Sequence, residues 1–363
     1  MFNFAFLNAD EAYEQYVQST YFSQMNEYEL SLRLGKTVHS RDDGVRMMLS
    51  MYKNSVQEFT ESEKDMLRFY MIVLVKFLSL KAPFCIPDKE TTCFLKLNSD
   101  GSSSNGIALD WNYPYTINHC VVIPIPYLNQ MISDSLEFFI QFKQKYGDGY
   151  SNPDANTLTQ WTTNRPPYSL MFKYMCFFTH EFIHILQRNY ALYPTHKVVF
   201  DKVYTDMWYF VKISKNDIDR NITDSPTFGI ITDPDGYNYE WATLLFNQTK
   251  HYSIPFLPVL MLNETSKSPE AMLIEMVKKY IVSPYTLTKN HGDASKFRAY
   301  VERFYGLTKQ LNHPNEIMAI LLSEYVINGT LYSNTTNTTD YLSFYRYADK
   351  YIISTNFTPF ANR

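Results

Sequence analysis

The chain has no run of basic residues, and its 33 Lys and Arg against 37 Asp and Glu leave a net charge of −4. A dedicated nucleic-acid binder needs clustered positive charge to meet phosphates, so that class is excluded. There is also no long hydrophobic run. The most apolar window, Met71 to Leu80, falls well short of the roughly 20 residues that cross a bilayer, and it contains Lys76. No membrane span is expected. The segment Met1 to Glu11 lacks the basic stretch and apolar core of a signal peptide. The expectation is a soluble intracellular protein, in which the several Asn-x-Thr sequons are by-products of composition. Cysteine is sparse: Cys85, Cys93, Cys120 and Cys176 include no Cys-x-x-Cys pair, so a zinc knuckle is not expected. Cys85 and Cys93 are close enough in sequence to bridge, but free buried thiols are the expected state in a chain this large. Glycine is scarce (11 residues) and internal repeats are absent, whereas Tyr (30) and Phe (26) are abundant, a bias that an AT-rich genome produces. With 45% hydrophobic residues among 363, the chain is not disordered and can bury a large core.

Histidine is also scarce, at eight residues, yet two of them stand four apart in His180-Glu181-Phe-Ile-His184. By residue frequency such a pattern arises by chance roughly 0.01 times in a chain like this one. On a helix, positions four apart share a face and can grip one metal ion, and the glutamate after the first histidine can serve as general base. The flanks support a helix. Pro166-Pro167 precedes the segment, no Pro or Gly falls between Tyr168 and Leu192, and Pro194 lies just beyond. Met171, Met175, Phe178, Phe182, Ile185 and Leu186 recur near the helical period beside the histidine face.

Around this helix the pattern predicts an order of elements. Residues 9–35 and 42–59 read as amphipathic helices, and Glu63 to Lys81 as a core helix capped by Ser62. Thr92 to Leu97 reads as a strand, Ile107 to Trp111 as a returning strand, and His119 to Ile125 as a third strand that Pro124 places at a sheet edge or strand end. Ile132 to Tyr146 reads as a helix. After the motif, residues 190–214 suggest turns with short pieces of regular structure. Asp233-Pro-Asp-Gly236 suggests a hairpin. Helices are expected over 268–282, 293–305, 314–328 and 341–353. The expected class is α+β, mostly helical, with a small mixed sheet next to the motif helix. Residues 1–90 form a helical N-terminal part, 91–192 the sheet and motif helix, and 193–363 a mostly helical C-terminal part, together one compact two-lobed unit.

In motif and element order the chain resembles the zincin metallopeptidases. That resemblance implies a zincin-like fold, a Zn2+ cofactor, a peptide or protein substrate, and a sheet-edge strand near Val121 to Ile125 that pairs with it. Such enzymes need a third protein ligand. The metzincin extension is missing, since Ile185-Leu-Gln187-Arg-Asn-Tyr190 contains neither Gly nor His. Asn315-Glu316 on its predicted helix resembles the gluzincin pattern, which makes Glu316 the first candidate, at a longer spacing than compact gluzincins show. The bland alternative is that Glu316 serves its own helix start. Glu240, after the Asp-Pro-Asp-Gly turn, is the second candidate. Asp233 and Asp235 shape that turn, and Glu324 is expected on a solvated helix face. Gln187, one turn beyond His184, is a candidate to orient it. Tyr237, Tyr239 and Tyr325 are candidate donors to a developing oxyanion, and His313 is a candidate donor or ligand, with a helix N-cap position as its bland alternative. The texture is also similar to proteins of some large DNA viruses, which implies a host-directed or virion-associated role. A catalytically divergent zincin-like binding or structural protein, with protein assembly partners, is the second reading.

Overall fold

A computed structural model describes residues 2–19, scattered positions from 22 to 34, 36–98, 114–146 and 168–212, and short strands between 228 and 289. It also describes 314–328 and positions 348, 350 and 352. The described chain is mostly helical with a small mixed sheet. The expected strand at 107–111, the turn at 233–236 and the helix at 293–305 lie outside the described residues.

The elements run β1 (Phe4–Phe6), α1 (Ala9–Gln18), α2 (Arg41–Ser55), β2 (Val56–Gln57), α3 (Glu61–Lys81), β3 (Thr92–Leu97), β4 (Tyr115–Ile117) and β5 (Cys120–Pro124). Then come α4 (Ile125–Tyr146), α5 (Tyr168–Arg188) and α6 (Pro194–Met207). Strands β6 (Trp208–Lys212), β7 (Phe228–Ile230), β8 (Glu240–Phe246), β9 (Thr249–His251), β10 (Val259–Met261), β11 (Tyr280–Ser283) and β12 (Thr286–Lys289) precede α7 (Pro314–Asn328).

Helix starts follow side-chain chemistry. Asn8 and Glu11 form a capping box on α1, and Thr60 and Glu63 form another on α3. Thr60 therefore caps α3 in place of Ser62, because its hydroxyl reaches the Glu63 amide. The first helix ends at Gln18 rather than near residue 35. The second ends at Ser55 because Val56 and Gln57 leave it to pair with Leu97 and Lys96 of β3. Pro194, expected only to stop the motif helix, sits in the first turn of α6, where its missing N–H costs nothing.

In the main sheet, β1, β3 and β5 are parallel, β4 runs antiparallel to β5, and β2 antiparallel to β3. Strand β5 thus lies between β3 and β4, so the Val121 region is interior and β4 forms the edge on that side. The reason is the tight turn at Asn118, whose φ of 52° lets β4 fold back along β5. Side chains alternate across the sheet. Phe94, Val121 and Ile123 join a core with α3, α4, α5 and α7. Cys93, Leu95, Leu97, Cys120 and Val122 face a second core with α1 and α2. Lys96 bridges β3 to α3, its Nζ 2.8 Å from Glu63 Oε2.

Helix α7 packs along α5. Tyr174 Oη donates to Asp134 Oδ2 at 2.6 Å, and the Tyr70 and Ser135 hydroxyls are hydrogen-bonded, so α3, α4 and α5 are tied together. Two later expectations change. Among the described residues strand β7 pairs with β10, and β8 with β6 and β9, rather than with each other. The end of the expected 268–282 helix is strand, Tyr280–Ser283, because Ile281 and Val282 pair with Thr288 and Leu287. All four cysteines are free thiols, and the partner within reach of Cys93 is Cys120, not Cys85. Among the described residues no helix is long and apolar enough to cross a membrane.

Candidate metal centre

Helix α5 forms because a long apolar segment wraps its flanks into the core: Met175, Phe178, Phe182, Ile183 and Leu186 are buried. It ends where the Asn189 side chain donates to the Ile185 carbonyl at 2.8 Å. On the remaining face the histidines stand one turn apart, their Nε2 atoms 2.8 Å from each other.

Helix α7 brings the third group. Its apolar residues Met318, Ala319, Leu321, Leu322 and Val326 are buried, and Pro314 places Glu316 in the first turn. The Glu316 carboxylate meets both rings, with Oε1 3.2 Å from His184 Nε2 and Oε2 3.3 Å from His180 Nε2. One donor atom from each residue lies within 4.8 Å of the others. The first candidate third ligand is therefore brought to the histidines by a helix far along the chain from the motif. Burial pushes the Glu316 carboxyl up. The charge of His184, and hydrogen bonds from both rings, outweigh burial and hold it well below the usual carboxylate range.

Gln187 acts on the ring of His184. Its Nε2 donates to the Asn315 carbonyl at 3.3 Å, which leaves Oε1 facing His184 Nδ1 at 2.9 Å. An amide oxygen only accepts, so Nδ1 carries a proton, and Nε2, which faces Glu316, is the nitrogen left to give up its own proton and ligate a metal. Glu181 is buried on the next position of the helix.

The other candidates divide. Tyr325 lies nine positions beyond Glu316 on α7, about 13 Å along the axis, so the helix rise carries it away from the centre. Glu324, expected on a solvated face, is half-buried, with a buried Oε2 that has no hydrogen-bond partner among the described residues. Burial raises its carboxyl to about 7. Glu240 opens β8 opposite Lys212, but its side chain, with His313, Tyr237 and Tyr239, lies outside the described residues. Two participants were not read from the sequence. Asn315 contributes a backbone carbonyl, which no side-chain motif reveals. Tyr127, in the first turn of α4, packs at a tilt against Phe177, ring centroids 4.9 Å apart, and comes within reach of the Glu181 charge. Burial first, and then Glu181, push its phenol up, so it stays protonated as a donor. The only signal for it was its position directly after a strand beside the site.

Two nitrogens and one carboxylate, buried and converging, form the donor set that suits zinc. The outer partner on His184 is the kind that fixes a ligand's tautomer. No family model, curated protein or solved structure matches the chain.

Proposed function

We propose that the chain is a zinc-dependent metallopeptidase of zincin-like fold, with His180, His184 and Glu316 holding the metal. One observation carries this reading: the two motif histidines and a carboxylate from a distant helix meet in a single buried cluster, beside the motif glutamate. The small mixed sheet, with antiparallel β4 at its edge and packed against α5, supports the fold. When bound, zinc supplies Lewis-acid chemistry that lets a peptide bond be hydrolysed near neutral pH. Glu181 takes a proton from water and hands it to the leaving amine. Gln187 and the Asn315 carbonyl hold the His184 ring in its ligating tautomer. The Tyr127 phenol, within electrostatic reach of Glu181, is the candidate to donate to developing oxygen charge.

Depth favours a second reading. His180, the most open of the ligands, is 9% exposed, and His184 1%. A centre this enclosed also suits a zincin-like protein that keeps its metal for structure or binding, in a virion or elsewhere. A mixture of peptides from a digested cell extract, incubated with the zinc-loaded protein and read by mass spectrometry, separates the two. Cleavage is expected in wild type and, in Glu181→Gln, a loss of at least about 100-fold with zinc retained. Equal cleavage by that variant would refute the general base. Zinc bound with no cleavage by wild type would favour the non-catalytic reading.

A further inference from the structure

On the opposite face of the sheet a second set of ligand-type side chains converges. Cys93 of β3 and Cys120 of β5 are register partners across parallel strands, so their side chains emerge on the same face. His119 precedes Cys120. One donor atom from each of Cys93, His119 and Cys120 lies within 4.8 Å of the others. The cluster is fixed from several sides. The Cys93 amide donates to the His119 carbonyl at 3.1 Å. Asn118, in left-handed conformation, donates from Nδ2 to Gln15 O at 3.0 Å. Its own carbonyl accepts from Arg188 Nη1 at 3.3 Å and from Asn189 Nδ2 at 3.5 Å. The turn is thereby held between α1 and the end of α5. Glu90, itself exposed, lies beside the imidazole, with Oε2 3.6 Å from His119 Nδ1.

We propose that Cys93, His119 and Cys120 form a second metal site that takes zinc in a structural role, with Glu90 beside the imidazole. Two sulfurs and one imidazole are the soft-to-borderline donors that favour Zn2+ over hard cations such as Mg2+ or Ca2+. Both cysteines are buried and His119 is half-exposed, so the metal enters past His119 and Glu90. Binding needs no oxidant: each thiol gives its proton to solvent as its sulfur becomes a ligand. The site joins β3, β5 and the turn that braces the C-terminal end of the motif helix. It is chemically distinct from the His180 centre, which contains no sulfur.

That difference gives the test. Metal-free full-length protein, kept reduced, is titrated with Co2+ and followed by absorption. A thiolate-to-cobalt charge-transfer band is expected in wild type and equally in Glu316→Ala, which lacks a ligand of the first centre. The band should vanish in Cys93→Ser, and His119→Ala should weaken cobalt affinity at least about tenfold. Because Cys93→Ser is a buried change that can unfold the chain, X-ray absorption on zinc-loaded wild type provides an independent measurement. Zinc–sulfur scattering near about 2.3 Å is expected there. A cobalt spectrum without the charge-transfer band, zinc with only nitrogen and oxygen neighbours, or a Cys93–Cys120 disulfide in reduced protein would overturn the proposal.

Discussion

At the scale of single residues, Gln187 is the most informative. Its amide orientation is fixed from behind by the Asn315 carbonyl, and that orientation decides which nitrogen of His184 carries the proton. Gln187→Ala should lower zinc affinity by about 10- to 100-fold while the fold persists, as competition with a chromophoric chelator would report. Unchanged affinity would mean the amide only fills space. Glu324 tests another residue-scale effect. Burial raises its carboxyl to about 7, above the usual glutamate range. The folded state therefore binds the proton more tightly than the unfolded chain. The resulting stability is fully present below the ordinary glutamate pKa of about 4.3 and is lost as pH rises toward 7. Glu324→Gln should remove this part of the pH dependence, so denaturation midpoints of variant and wild type should diverge between pH about 4.5 and 7, with the variant the more stable at pH 7. Parallel midpoints across that window would contradict it.

At the scale of elements, sequence patterns located what was local and missed what depended on pairing. Thr92–Leu97 and Cys120–Pro124 were legible because short apolar runs bounded by turn residues have few other uses. The motif helix was legible from its period and its proline boundaries. The turn expected at Asp233 lies outside the described residues, and the described strand Phe228–Ile230 pairs with β10, a choice no local signal encodes. The residue that caps α3 was misplaced by two positions because Ser62 and Thr60 are chemically equivalent caps, and only backbone geometry separates them. Gly44 in α2 shows a constraint invisible in sequence. Helix propensity favours alanine there by about 1 kcal/mol. A Cβ would stand 2.8 Å from Leu30 Cδ1 and 2.9 Å from both Leu30 Cβ and Val38 Cγ1. These contacts lie in the second core, so Gly44→Ala should destabilise the protein by about 1–3 kcal/mol rather than stabilise it. A raised midpoint in urea would show that Leu30 and Val38 yield.

For the whole molecule, one sheet separates two cores, and each face presents a metal-type cluster. The His180 cluster was readable because two of its candidate donors and the candidate base share one helix. Its third donor was readable only as a choice between carboxylates, since packing of α7 on α5 decides it. The sulfur cluster was not readable, because Cys93 and Cys120 become neighbours only through strand register. The central claim is that His180, His184 and Glu316 hold one zinc ion. Anomalous scattering at the zinc edge from crystals of the zinc-loaded protein tests it by position, independently of any second zinc. The expected result is a peak bounded by His180 Nε2, His184 Nε2 and the Glu316 carboxylate. Zinc-saturated crystals with no peak between these three side chains would contradict the account.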